Sequence, residues 1–219
     1  MNAVIIVAGG SGWRMGGTVP KQYIDLNGKP MVIHTLEKFY EYDPGMKVVL
    51  VIAREHRKFW DVIANKHIKS KKIVLATGGK TRYDSVKSGL QFIDDGVIVG
   101  IHDAVRPLVS PETIDRCYRS AAEHGSGIPV VDMDESVRMI TGPDRSEQLD
   151  RSRLKRVQTP QVFRSELIKM AYGQAGDPSF TDDASVFESL HREVRLVKGN
   201  PENIKITDPT GLRLASLIL

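Results

Sequence analysis

Ala3-Val4-Ile5-Ile6-Val7 runs straight into Ala8-Gly9-Gly10-Ser11-Gly12-Trp13-Arg14-Met15-Gly16-Gly17, and Thr18-Val19-Pro20-Lys21-Gln22 follows. A short apolar run rich in Val and Ile, closed by glycine, reads as a buried strand. Five glycines within residues 9–17 remove the side chains that would keep an anion away from backbone N–H groups, and Arg14 and Lys21 add positive charge. The stretch therefore reads as a strand feeding a phosphate-cradling loop. It has no Gly-Lys-Ser/Thr, so it is not a Walker A loop, and Arg14 stands where the dinucleotide fingerprint needs its third glycine. A plain glycine turn between strand and helix is the alternative, but such a turn has no need of two flanking cations.

Outward from this stretch, strand signals recur at Lys47–Ile52, Lys72–Ala76, Gly96–Ile101, Gly127–Val131 and Val194–Val197. Helical spacing fills the gaps at Pro30–Phe39 and Thr81–Phe92. Strands alternating with helices imply a parallel sheet. A third helix is punctuated from Ser110 as cap and Pro111 in the first turn to Gly125 as stop, with Ile114, Cys117, Tyr118 and Ala121 forming its inward stripe. The segment 132–158 reads as a β-hairpin arm with a turn at Thr141-Gly142-Pro143-Asp144-Arg145 and a basic run at Arg151–Arg156. A lone hairpin is too small to be stable in water, so the arm is expected to pack on a second subunit.

The chain has 219 residues, 41% hydrophobic and 26% charged, with a net charge of +4. Those values suit one globular domain over residues 1–219, exclude a disordered or collagenous chain, and fall short of a polyanion-binding signature. The single Cys117 excludes an internal disulfide and a Cys-rich zinc site, which fits a cytoplasmic protein. No apolar stretch approaches the ~20 residues of a membrane helix, and no basic segment precedes the first strand as a signal peptide requires.

The pattern Ala-Gly-Gly-x-Gly-x-Arg-Met followed by Pro-Lys-Gln resembles the signature of sugar nucleotidyltransferases, in particular the polyol-phosphate cytidylyltransferases. Four more segments agree in order: Gly78-Gly79-Lys80-Thr81-Arg82-Tyr83-Asp84-Ser85-Val86, His102-Asp103-Ala104-Val105-Arg106-Pro107, Gln158-Thr159-Pro160-Gln161, and Thr181-Asp182-Asp183-Ala184 with Asn203-Ile204-Lys205-Ile206-Thr207. They resemble blocks of the 2-C-methyl-D-erythritol 4-phosphate cytidylyltransferase family. The resemblance implies an α/β fold, a Rossmann-like nucleotidyltransferase domain with a mostly parallel sheet flanked by helices and a projecting β-arm. It implies transfer of CMP from CTP to the polyol phosphate, a Mg2+ ion, and a homodimer built through the arm.

That reaction needs fixed cations rather than a nucleophile, because negative charge crowds together and then moves onto pyrophosphate. Arg14 and Lys21 are the expected transition-state stabilisers. Ala8, Gly9, Gly10 and Gly12 are expected at the nucleotide, with Gly79 and Ser85 at the base, although Ser85 also reads as a simple helix cap. Asp103 follows a strand at its carboxyl end, where open α/β sheets bind ligands. It suits Mg2+, directly or through water, or the ribose hydroxyls, or a structural pair with Arg106. The resemblance places Arg151, Lys205 and Thr159 at the substrate phosphate. Relatives often carry an acid where Lys80 stands and Ala where Gly9 stands. His102 reads as a packed side chain outside the chemistry. The rival readings are a ribitol-5-phosphate cytidylyltransferase and, in another class, a non-catalytic nucleotide sensor or RNA-binding protein.

Overall fold

In the computed structural model, residues 1–10, 19–68, 72–175 and 180–219 are described. Strand β1 (Asn2–Ala8) is apolar throughout because both faces are covered. Its side chains alternate between two cores: Val4, Ile6 and Ala8 face one, Ala3, Ile5 and Val7 the other. A small hairpin, β2 (Asp25–Leu26) and β3 (Lys29–Pro30), leads into α1 (Met31–Tyr42), which buries Met31, Ile33, Leu36 and Phe39. Then follow β4 (Lys47–Ile52), α2 (Arg57–His67), β5 (Ile73–Thr77), α3 (Arg82–Leu90) and β6 (Ile98–Asp103). Helix α4 (Pro111–His124) is punctuated as the sequence indicates. The Ser110 hydroxyl accepts from the Thr113 N–H, and Gly125 closes the helix at φ 91°, a left-handed conformation that glycine adopts without steric cost.

Next come β7 (Ser126–Asp132), β8 (Val137–Gly142), β9 (Arg145–Leu149), β10 (Lys155–Val157), β11 (Gln161–Arg164), α5 (Ser165–Gln174), α6 (Asp183–Glu188), β12 (Leu196–Lys198) and α7 (Pro209–Ile218). Among the described residues the main sheet has eight strands, in the order β10-β7-β11-β6-β1-β4-β5, with β12 added parallel to β7. Around β1 the pairing is parallel, as expected. Strand β11 was not legible in the sequence: it inserts antiparallel between β6 and β7, so the sheet is mixed. Its four residues are too few to show a period, and they begin immediately after Pro160.

Helices α1, α2 and α4 cover one face of the sheet; α3, α5 and α6 cover the other. Helix α7 joins a third, smaller core with Leu26, Met31, Val105, Leu108 and Ile206. Within the expected arm, β8 and β9 form a separate two-stranded sheet. Both ends of the 132–158 segment return to the main sheet, since Asp132 closes β7 and β10 pairs antiparallel with it. No residue from 131 to 157 is buried.

Register is what builds a site. Ala8 of β1 stands beside Ile52 of β4, Ile52 beside Thr77 of β5, and Val7 beside Asp103 of β6. Four carboxyl ends therefore open at one edge, the position where open α/β sheets hold ligands.

Candidate active site

A cavity of ≈ 670 Å³ lies at those strand ends. Its wall includes Ala8, Gly9, Gly10 and Lys21 from the first loop, Gly79 and Ser85 near α3, Asp103 from β6, and Lys205 and Thr207 from the segment before α7. Eight of the residues singled out in the sequence thus meet in one place. Arg14 and Gly12, also singled out, lie outside the described residues.

One wall of the cavity is a glycine seam. The Cα of Gly9 lies 3.4 Å from where a Cβ on Gly78 would stand, and a Cβ on Gly9 would come within 3.1 Å of the Ser85 Oγ. Side chains would push the loops after β1 and β5 apart. At Gly79 a Cβ would collide with Asp84 at 2.2 Å, so only glycine lets this loop turn into α3. Ser85 is not the cap of that helix. Thr81 is, in a capping box with Asp84. The Ser85 hydroxyl donates to the Thr81 carbonyl at 2.9 Å and accepts from the Gly79 N–H at 3.1 Å. That use leaves a lone pair, and no proton, for anything in the cavity.

Gln22, which sequence reasoning passed over, secures the first loop from behind. Its side chain is buried, and its amide donates to the carbonyls of Ala8 at 2.8 Å and Gly10 at 3.4 Å. His56 Nδ1 lies 3.3 Å from the same amide nitrogen. The neighbouring Lys21 opens a short 3₁₀ turn and lines the cavity.

Asp103 is the centre of a charge cluster. Its Oδ1 lies 3.5 Å from Arg82 Nε, and its Oδ2 lies 3.3 Å from Arg106 Nε and 3.0 Å from Lys205 Nζ. Burial alone would raise its pKa, but the charges of Arg82, Lys205 and Arg106 overcome that and hold the carboxyl well below the usual carboxylate range. Arg82 is gripped on its far side by fully buried Asp183, with bidentate contacts of 2.9 and 2.6 Å. Asp183 also accepts from the Tyr172 hydroxyl at 2.6 Å, and its backbone N–H donates to Gln161 Oε1. Sequence reasoning quoted Arg82 without giving it a role. One signal was present: a cation in the first turn of a helix opposes the helix dipole, so it needs an anion elsewhere.

Two expectations meet this arrangement. Both oxygens of Asp103 already face cationic donors, and three positive side chains surround the carboxylate. Among the described residues no cluster of three or more His, Cys, Asp or Glu could hold a metal ion. The donor set around Asp103 is rich in cations that face the cavity. Thr159 is buried and does not line the cavity. Its hydroxyl accepts from the Asp103 N–H at 3.1 Å and lies 3.0 Å from His102 Nδ1. The residue supports Asp103 from behind, with its hydroxyl engaged away from the cavity. His102 is fully buried between Thr159 and the Arg106 carbonyl. Burial pushes its pKa down to about 4, so the ring is neutral at pH 7 and outside the chemistry.

Arg151 is absent from the cavity wall of its own chain. It is exposed at the foot of the hairpin and donates to the Asp134 carbonyl at 2.7 Å.

The chain matches the family model of IspD, 2-C-methyl-D-erythritol 4-phosphate cytidylyltransferase, over residues 2–219. It is 49% identical to the protein of that name from Bacteroides thetaiotaomicron over 217 residues, covering 99% of both chains. It is 39% identical to the one from Bacillus velezensis, covering 99% of this chain and 94% of that one. Among solved structures, the Francisella tularensis 2-C-methyl-D-erythritol 4-phosphate cytidylyltransferase superposes with a TM-score of 0.83 at 31% identity, covering 100% of this chain and 99% of that one. The 4-diphosphocytidyl-2C-methyl-D-erythritol synthase of Anaerococcus prevotii gives a TM-score of 0.85 at 26% identity, covering 99% and 97%.

Proposed function

The chain belongs to the 2-C-methyl-D-erythritol 4-phosphate cytidylyltransferase family, and from that premise we infer that it transfers CMP from CTP to 2-C-methyl-D-erythritol 4-phosphate in isoprenoid synthesis. A phosphate oxygen of the polyol phosphate attacks the α-phosphorus of CTP. The bond from that phosphorus to the bridging oxygen of the β-phosphate breaks, and pyrophosphate leaves with the electron pair. Products are pyrophosphate and 4-diphosphocytidyl-2-C-methyl-D-erythritol.

One observation carries the site assignment: the glycine seam, Lys21 and Lys205 face one cavity at the carboxyl ends of four strands. The seam offers backbone groups and the Ser85 lone pair to a flat base, and a lone pair can accept from the amino group that distinguishes cytosine from uracil. Lys21 supplies charge beside the first loop, and Arg14 is assigned the same task from the sequence. Lys205, tethered to Asp103, supplies a point charge for the second phosphate. Asp103 holds the cations in place, which is preorganisation of charge rather than acid–base work. A divalent cation enters as part of the substrate, the metal–CTP complex.

A homodimer is supported by the hairpin: Met139 is 46% and Ile140 75% exposed, apolar side chains on its two faces that a second subunit would cover. Arg151 would then reach a neighbour's cavity rather than its own. No helix among the described residues is long and apolar enough to cross a membrane, and a cytoplasmic location agrees with use of CTP. Pyrophosphate release measured with CTP, UTP, ATP and GTP in parallel tests the base assignment. Release with CTP well above the others is expected, and equal release with UTP would contradict the role given to the seam.

A further inference from the structure

Two cations of the cavity wall have no part in the account above. Arg54 follows β4 by two residues and Lys80 follows β5 by three. Because Ile52 and Thr77 are register partners, both side chains leave from adjacent strand ends. Both are exposed and both line the cavity. Neither forms an ion pair among the described residues, whereas Arg82 and Lys205 are engaged with Asp103. An exposed lysine or arginine outside any ion pair costs little to leave in water, yet its field extends to about a Debye length. Glu55, beside Arg54, lines the same cavity and opposes them.

We propose that Arg54 and Lys80 are an electrostatic collector for the triphosphate of CTP, with Glu55 as its negative counterweight; this rests on the cytidylyltransferase reading of the cavity. Such a device acts before chemistry. It raises the rate and strength of capture of a polyanion, scales with ligand charge, and fades with salt. That separates it from a structural role, which would respond to neither charge nor salt.

Calorimetric CTP binding to the full chain tests it at about 0.01 M and about 0.15 M salt, between which the Debye length falls from about 30 to about 8 Å. Arg54→Gln and Lys80→Gln should each weaken CTP binding about two- to five-fold at the lower salt. Glu55→Gln should strengthen it by a similar factor. All three shifts should shrink at the higher salt and be smaller for CMP, which carries less charge. Wild-type affinity in both cation variants at low salt, or weaker binding in Glu55→Gln, would overturn the proposal. Turnover of CTP with 2-C-methyl-D-erythritol 4-phosphate is measured separately on the wild type; its failure would remove the substrate assignment while leaving the binding result to stand or fall alone.

Discussion

Asp103 shows what one side chain at a strand end contributes and what its neighbours add. Its place at the end of β6 was legible, because an acid immediately after an apolar run sits where ligands bind. Its task was not legible, because Arg82, Arg106 and Lys205 converge from three separate parts of the chain. The three cations occupy both oxygens of the carboxylate. Lys21 was legible from the loop, and Lys21→Ala should lower kcat by about 10²–10³, as removal of one preorganised charge-stabilising group does. Steady-state kinetics with both substrates saturating checks it.

His102 yields a stability prediction with a defined sign. Its folded pKa is depressed from 6.5 to about 4. Between those values the unfolded chain takes up a proton that the folded chain refuses, so stability falls as pH drops from about 6.5 to about 4, by roughly 3 kcal/mol from this group. Asp103 is also depressed, but a carboxylate loses its contribution only below about pH 4. Urea unfolding at a series of pH values should show the first slope in the wild type, and His102→Asn should flatten it.

Among the elements, α3 carries the most information per residue. The sequence located it from Val86 and Leu90, whose inward spacing survives in the second core, and its stretch 81–92 begins on the observed cap, Thr81, and overruns the end at Leu90 by two residues; the alternative reading of Ser85 as the cap does not hold. Capping depends on the turn that Gly79 permits, a fact about the approach of Asp84 rather than about composition. Gly79→Ala forces a Cβ against Asp84 at 2.2 Å; the loop must move, at a cost of about 1–3 kcal/mol. A melting temperature several degrees lower, together with weaker CTP binding, is expected. Helix α6 was not recognised as an element because its six residues are too short for periodicity, yet it supplies the anion behind Arg82. Asp183→Asn leaves the partly buried Arg82 guanidinium with Asp103 as its remaining acid and should cost about 2–3 kcal/mol, read by denaturant midpoint. Strand β11 escaped for the same reason of length, and with it the mixed character of the sheet.

At the scale of the molecule, the parallel half of the sheet was legible because strands buried on both faces are written as unbroken Val and Ile runs. The antiparallel half was not, since its short strands take their pairing from tertiary contacts that leave no period in the sequence. The same division governs the site. The residues singled out on β1, β6 and the loops after β1 and β5 line one cavity, whereas Gln22 and Asp183, which act through distant partners, carry no local signal. The hairpin stands outside all three cores, and among the described residues its strands pair only with each other, so its stability in isolation is marginal. Shortening it between residues 135 and 149 should leave the melting temperature of the remaining fold nearly unchanged while shifting the sedimentation of the protein toward that of a single chain.

The central claim is that this cavity joins CTP to a branched polyol phosphate through charges fixed around Lys21 and Lys205. Pyrophosphate release from CTP with Mg2+, with 2-C-methyl-D-erythritol 4-phosphate and ribitol 5-phosphate run side by side on the wild type and Lys21→Ala, tests it most directly. The account predicts release with the methylerythritol phosphate that collapses in the variant and little with ribitol phosphate. Release with ribitol phosphate alone, or a Lys21→Ala enzyme as fast as the wild type, would contradict it.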